Sequence, residues 1–202
     1  MPSRELTTNL KVYLGELYSW NQRINLTGLK TIEEMAVKHI GDTLTLIHFL
    51  PEGVHHILDI GTGPGVPGLI LKLFRPDLEI VLIDAIRKKV SFLNTVIAII
   101  GLTGIWAEHC RVGPKDIPRH LPPEGFDLIV SQAVGPLNEL AIMARPLLST
   151  NGLVIAMKGP KADKELEEKM GYLQRHGWKT SIIKTQTPVG SFQRNLVILR
   201  QC

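Results

Sequence analysis

The chain has 202 residues, long enough for one large domain or one domain with a small appendage. Its 44% hydrophobic and 21% charged content describes an ordinary soluble globular protein, and 5% aromatics exclude an aromatic-rich stacking surface. The formal charge of +4 gathers in residues 151–202, with nine basic against four acidic groups, compared with five and five in residues 1–50 and nine and ten in residues 51–150. This pattern fits a polyanionic partner such as nucleic acid, with a solvated basic surface as the plain alternative.

Met1-Pro2-Ser3-Arg4-Glu5 has no signal-peptide core, and no stretch reaches about 18 uninterrupted apolar residues, so no segment is expected to enter a membrane. Leu6, Leu10, Tyr13, Leu14 and Leu17 fall at helical spacing and predict an amphipathic opening helix. A polar, irregular segment is expected over Trp20–Gly28, then a second helix from about Thr31 to Leu50, stopped by Pro51. Residues 1–50 thus read as a helical extension and residues 51–202 as the main domain, together one compact unit.

From residue 55 strands and helices alternate. Strands are expected at 55–60, 79–84, 104–109, 126–131, 152–157, 180–186 and 194–199, and helices at 65–74, 86–100, 136–148 and 162–176. Such alternation predicts an α/β fold whose mostly parallel sheet is covered on both faces. Thr187-Pro188-Val189-Gly190 is too short for a helical crossover, so the last two strands must be antiparallel. His55 and His56 point to opposite faces of one strand, and Cys110 and Cys202 lack metal-ligand spacing, so no metal site is expected. The two cysteines suggest no disulfide framework and fit a reducing cytoplasm. Cys110 itself reads as a buried small hydrophobe.

The decisive stretch is Asp59-Ile60-Gly61-Thr62-Gly63-Pro64-Gly65, a glycine-rich turn between a strand and a helix. The next strand, Glu79-Ile80-Val81-Leu82-Ile83, ends in Asp84, which is placed to accept hydrogen bonds from both hydroxyls of a ribose; a plain surface acid is the alternative. Gly63–Gly68 satisfies the dinucleotide G-x-G-x-x-G pattern, which alone is a weak signal. Pro64 and Pro67 remove N–H donors from the turn, and Asp59 would repel a pyrophosphate. A cationic ligand without phosphate suits these residues better. S-adenosylmethionine, with its ammonium and sulfonium, is the favoured reading over a dinucleotide or a purely structural turn.

Trp20-Asn21 with Asn25-Leu26-Thr27, His39 with Asp42, the turn through Val66-Pro67-Gly68, Asp84 with Lys88-Lys89 and Phe92-Leu93, Ser131 with Ala133, Lys158-Gly159, and Arg194 with Leu196-Val197-Ile198 form a nearly end-to-end pattern. It resembles the bacterial small-subunit ribosomal RNA guanine-N7 methyltransferases, also called the glucose-inhibited division B proteins. The resemblance implies a class I S-adenosylmethionine-dependent methyltransferase fold, Rossmann-like, with a seven-stranded mixed sheet and an antiparallel last hairpin. It implies a monomeric cytoplasmic enzyme that methylates guanine N7 in 16S ribosomal RNA. Cofactor contacts are expected at Gly61, Gly63, Val66, Asp84 and Asp59, and further ones at Val112, Gly113 and Gln132. At two of these the chain departs from the family pattern. Gly113 stands where a glutamate is usual, leaving only a backbone N–H to touch the adenine, and Gln132 replaces the arginine of a Ser-Arg-Ala triplet.

Guanine N7 has a free lone pair, so no catalytic base is expected. The N7 edge is accessible in loops and open junctions and hidden in an A-form helix. Candidate RNA contacts are Asn21, Arg23, Asn25, Lys158 and Arg194. Lys158 ends a parallel strand, where ligand crevices form, with a solvated strand-end lysine as the alternative; for Arg194 the alternative is a plain edge-strand charge. Trp20 reads as a packing residue, and Arg87-Lys88-Lys89, at a helix start, as a phosphate-side cluster or a solvated face. A non-catalytic cofactor- or RNA-binding protein of the same fold is the alternative that Gly113 and Gln132 motivate.

Overall fold

Side chains on adjacent strand positions part to opposite faces, and that alternation builds two cores here. A computed structural model describes residues 3–113, 116–132 and 134–202. Ile57 of β1 (His56–Ile60) and Ile80 and Leu82 of β2 (Glu79–Asp84) enter one core, while Leu58, Val81 and Ile83 enter the other. The first core is covered by α1 (Arg4–Ile24), α4 (Gly68–Phe74) and α5 (Arg87–Ile100). The second is covered by α6 (Leu137–Ala144) and α7 (Ala162–Arg175). Strands buried on both faces read as continuous apolar runs, as β2 does.

The remaining strands are β3 (Ile105–His109), β4 (Phe126–Gln132), β5 (Leu148–Lys158), β6 (Trp178–Gln186) and β7 (Gln193–Gln201). The sheet order is β3-β2-β1-β4-β5-β7-β6. The pairs β1–β2, β1–β4, β2–β3 and β4–β5 are parallel, whereas β7 pairs antiparallel with both β5 and β6. The seven-stranded mixed sheet with its antiparallel last hairpin is therefore as expected. In addition, β7 slots between β5 and β6 and leaves β6 on the edge, where its burial alternates.

α1 continues to Ile24, through part of the segment expected to be irregular. Trp20 and Ile24 prolong the apolar face of Leu17 at helical spacing and pack on the first core, so burial overrides the polar residues between them. Trp20 meets Phe92 edge-on, with ring centroids 5.8 Å apart, which is the packing role read from the sequence. The helix stops at Asn25, whose φ of 42° is left-handed. The expected second helix is built in three pieces: α2 (Ile32–Met35), started by a capping box between Thr31 and Glu34, a π-helical turn (Ala36–Ile40), and α3 (Gly41–His48). α6 gives way to a 3-10 turn at Arg145–Leu147, where Pro146 cannot continue an α-helix. β5 then begins at Leu148, earlier than the apolar run alone suggests.

Among the described residues, no helix is long and apolar enough to cross a membrane. Cys110 is buried and its thiol is pushed up to about 12, mainly by that burial.

Candidate functional site: a crevice at the carboxyl ends of the strands

The turn after β1 folds back on itself through its own hydrogen bonds. Gly61 and Thr62 donate their N–H groups to Ile83 O, and Gly65 and Val66 donate theirs to Thr62 O. Gly63 N–H goes to Asp84 Oδ2, and Gly68 N–H to Asp59 Oδ2. Leu69 and Ile70 donate to Gly65 O, while Pro64 and Pro67 have no N–H to offer. Every backbone donor from Gly61 to Ile70 is thus taken inside the protein. Gly61 has φ +69°, and a Cβ there would overlap Val134 Cγ2, so only glycine fits.

Asp59 lies beneath this turn with no solvent exposure. Its Oδ2 accepts from Thr62 Oγ1 at 2.7 Å and from the Gly68 N–H at 2.8 Å, while Oδ1 is buried without a partner. Burial pushes the carboxyl up to about 7 against the lowering effect of those two bonds. The expectation that Asp59 faces a cationic ligand is corrected by this burial. The carboxylate instead ties the turn together and satisfies the first N–H of α4.

The carboxyl ends of the parallel strands open on a crevice of about 510 Å³. The glycine turn forms its floor through Gly61, Thr62, Gly63, Pro64 and Val66, and Asp84 stands at the end of β2. Asp84 Oδ1 accepts from Ile86 N–H and Oδ2 from Gly63 N–H, with Lys89 Nζ 3.6 Å away. Each oxygen therefore keeps a lone pair for a ligand hydroxyl. Because β7 runs against its neighbours, Arg194 at its start reaches the same end of the sheet, beside Gln132 at the end of β4.

The opposite wall comes from residues 27–42, through Thr27, Leu29, Lys38, His39 and Asp42. Asp42 is buried and binds across the chain. Its Oδ1 accepts from Arg194 Nε at 2.6 Å, and its Oδ2 from Arg194 Nη2 at 3.2 Å and Gln132 Nε2 at 2.6 Å. His39 Nε2 is buried without a hydrogen-bond partner, and the ring is pushed down to about 4 by that burial, with Asp42 opposing. A second hollow of about 490 Å³ lies behind β3, where Trp106 and His120 stack, and the glycine turn does not reach it. Among the described residues no group of three or more His, Cys, Asp or Glu side chains is arranged to hold a metal ion.

The model of the family described as GidB, rRNA small subunit methyltransferase G, matches residues 6–197. The chain belongs to this family. It is 34% identical to the ribosomal RNA small subunit methyltransferase G of Syntrophotalea carbinolica, over 94% of this chain and 86% of that one. To the protein of the same description from Desulforamulus reducens it is 37% identical, over 96% of this chain and 82% of that one. The fold also matches the plantazolicin methyltransferase BpumL in complex with SAH, with a TM-score of 0.65 at 12% identity, covering 98% of this chain and 99% of that one.

The small subunit methyltransferase G pattern noted in the sequence divides into two groups in space. Gly61, Gly63, Val66, Asp84, Gln132 and Arg194 meet in the crevice, and the pair His39 and Asp42 joins them. Thr27, Thr62, Pro64 and Lys89 of the pattern line it as well, whereas the remaining expected contacts do not. Gly113 donates its N–H to Asp116 O at 3.1 Å, so the donor expected for an adenine is already taken, and Val112 packs against the second core. Asn21 donates to Leu29 O and accepts from Thr27 N–H, holding the loop after α1 rather than facing outward. Asn25 is the left-handed cap of α1, and Arg23 is exposed in its last turn. Lys158 is turned inward, donating to Gly135 O at 2.7 Å and Glu165 Oε1 at 2.9 Å, which leaves little of its charge for an external phosphate. Ala133 lies outside the described residues. Leu29 and Lys38 had no site role in the sequence reading; Thr27 entered it only within the Asn25-Leu26-Thr27 segment, and Lys89 as part of a phosphate-side cluster weighed against a solvated face.

Proposed function

We propose that this chain binds S-adenosylmethionine in the crevice and transfers its methyl group to guanine N7 of 16S ribosomal RNA. One observation carries the cofactor: the glycine turn has no free N–H from Gly61 to Ile70, while the Asp84 carboxylate stands beside it. A pyrophosphate needs such donors. A ligand with hydroxyls and positive charge does not, and the residues present fit it.

Bound S-adenosylmethionine supplies a methyl group on a sulfonium, which leaves as a neutral thioether. Asp84 would take the ribose hydroxyls, Gly61 and Gly63 would let the ligand lie close to the backbone, and Val66 would cover it from the side. The nucleophile brings its own lone pair, so the crevice needs to orient and to exclude water rather than to remove a proton. Asp42 and Asp84 flank the crevice and favour the positive charge that the methylated base acquires. Lys38 and Lys89 line it as well and suit the phosphates of an entering strand.

Family membership supports ribosomal RNA as the substrate. Work on that substrate agrees with a cytoplasmic protein, and the reading takes the enzyme to act as a monomer. The joint wall formed by residues 27–42 and the sheet supports treating the extension and main domain as one functional unit. Incubation with methyl-labelled cofactor and either small ribosomal subunits or free RNA is expected to label one guanine. Intact cofactor binding with no transfer to any RNA would overturn the proposal.

A further inference from the structure

The hollow behind β3 shares no lining residue with the crevice, yet one helix start serves both. Arg87 opens α5 and lines the hollow, while Lys89, two residues on, lines the crevice. This first turn holds no acidic residue, and Ile86 gives it no side-chain cap. Positive charge at the positive end of a helix is unfavourable, so the turn suits a bound anion. Arg119 lines the hollow as well. Among the described residues neither Arg87 nor Arg119 is held in an ion pair.

The hollow also carries a fixed stack. The Trp106 and His120 rings lie 4.7 Å apart between centroids and 15° from parallel. Glu108 holds the imidazole in place: its Oε2 accepts from Arg119 N–H at 2.7 Å, and its Oε1 from His120 N–H at 3.1 Å and from His120 Nδ1. The ring therefore loses little further freedom when a ligand meets it. Its side chain stays 45% exposed, so the face turned from Trp106 is open. The two carboxylates that border the hollow are turned to backbone, Glu108 as above and Asp116 to Arg111 N–H. Two unpaired guanidiniums beside an open aromatic platform match a nucleotide, phosphate to the former and base to the latter. An acidic peptide would use the guanidiniums and leave the stack idle.

We propose that this hollow is a second RNA contact for a single-stranded stretch beside the target: a base stacks on His120, and its phosphates meet Arg87 and Arg119. The proposal rests on the RNA methylation argued above. Two probes test it: a labelled oligoadenylate of about 12 nucleotides in direct binding, and 16S ribosomal RNA in methyl transfer. His120→Ala should weaken oligoadenylate binding roughly 5- to 100-fold, and His120→Phe, which keeps a ring, should restore it. Arg87→Ala combined with Arg119→Ala should also weaken it and lower the slope of log affinity against log salt by about one to two. In transfer, both sets should raise KM for RNA and leave kcat and cofactor Kd within about twofold. Unchanged binding in His120→Ala or in the arginine pair, a loss that falls on cofactor Kd instead, or equal capture of a polyglutamate peptide overturns the proposal. Oligoadenylate binding with these losses, but no transfer by the unaltered protein, would sink the proposed activity alone.

Discussion

Gly61 and Asp84 act on the crevice through single atoms. A methyl group at position 61 meets Val134 Cγ2 and forces a left-handed φ on a residue with a Cβ. Gly61→Ala is therefore expected to weaken cofactor binding at least about tenfold in a calorimetric titration, and pairing it with Val134→Ala should recover only part, since the backbone strain stays. Asp84→Asn keeps one acceptor but turns an –NH₂ toward the N–H of either Gly63 or Ile86. We expect it to cost cofactor affinity by a similar factor, roughly tenfold, with the fold retained. These two positions were legible because a glycine turn after one strand and an acid at the tip of the next are short local patterns in the sequence. Asp59 was not: its strand-tip place suggested a ligand contact, but its burial depends on helix α4 closing over it. The carboxylate partners of Lys158 and Arg194 were illegible for the same reason, as Glu165 and Asp42 reach them only through tertiary packing.

α1 joins the crevice floor through one hydroxyl. Tyr13 is fully buried, its ring near Phe92, and its O–H donates to Pro64 O at 3.1 Å. Tyr13→Phe should lower stability by about 1 kcal/mol in denaturant melts and loosen the turn, measurable as weaker cofactor binding. Leu17→Ala, deep in the same contact, should cost about 2–5 kcal/mol without touching the crevice directly. The π-helical turn at Ala36–Ile40 carries Lys38 and His39 on the crevice wall, a use of π geometry often found at functional sites. Hydrophobic spacing revealed a helix here but could not reveal its pitch, since π and α turns bury much the same residue types. The alternating strands were readable in order and nearly in extent, because both cores impose long apolar runs. Which neighbour β7 would take was not readable, because sheet order is a property of crossovers and not of any one strand.

Two buried groups give the whole molecule opposing pH dependences. Asp59 is raised from 3.8 to about 7, so its folded form holds a proton that the unfolded chain releases, and stability declines as pH climbs through that window. His39 is lowered from 6.5 to about 4, so the unfolded chain holds the extra proton and stability declines as pH falls through that window. Between about pH 4 and 6.5 the two slopes oppose each other. Asp59→Asn, which can keep both bonds to Oδ2, should therefore uncover a stability that rises with pH over that range, seen by denaturant unfolding at several pH values. The basic excess of residues 151–202 predicts that RNA binding weakens steeply with salt, by roughly tenfold or more between 50 and 200 mM.

The place of β7 in the sheet has a consequence for the order in which the molecule can be completed. β5 and β6 precede it in the chain, yet neither touches the other; both wait for the strand between them. Until residues 193–201 arrive, a growing chain carries two unpaired strand edges, and Asp42 waits for a guanidinium 152 residues downstream. Vectorial synthesis therefore leaves the crevice unfinished until its last strand is delivered, and a chain interrupted just before Gln193 would lose both the sheet's closure and the arginine that holds Asp42.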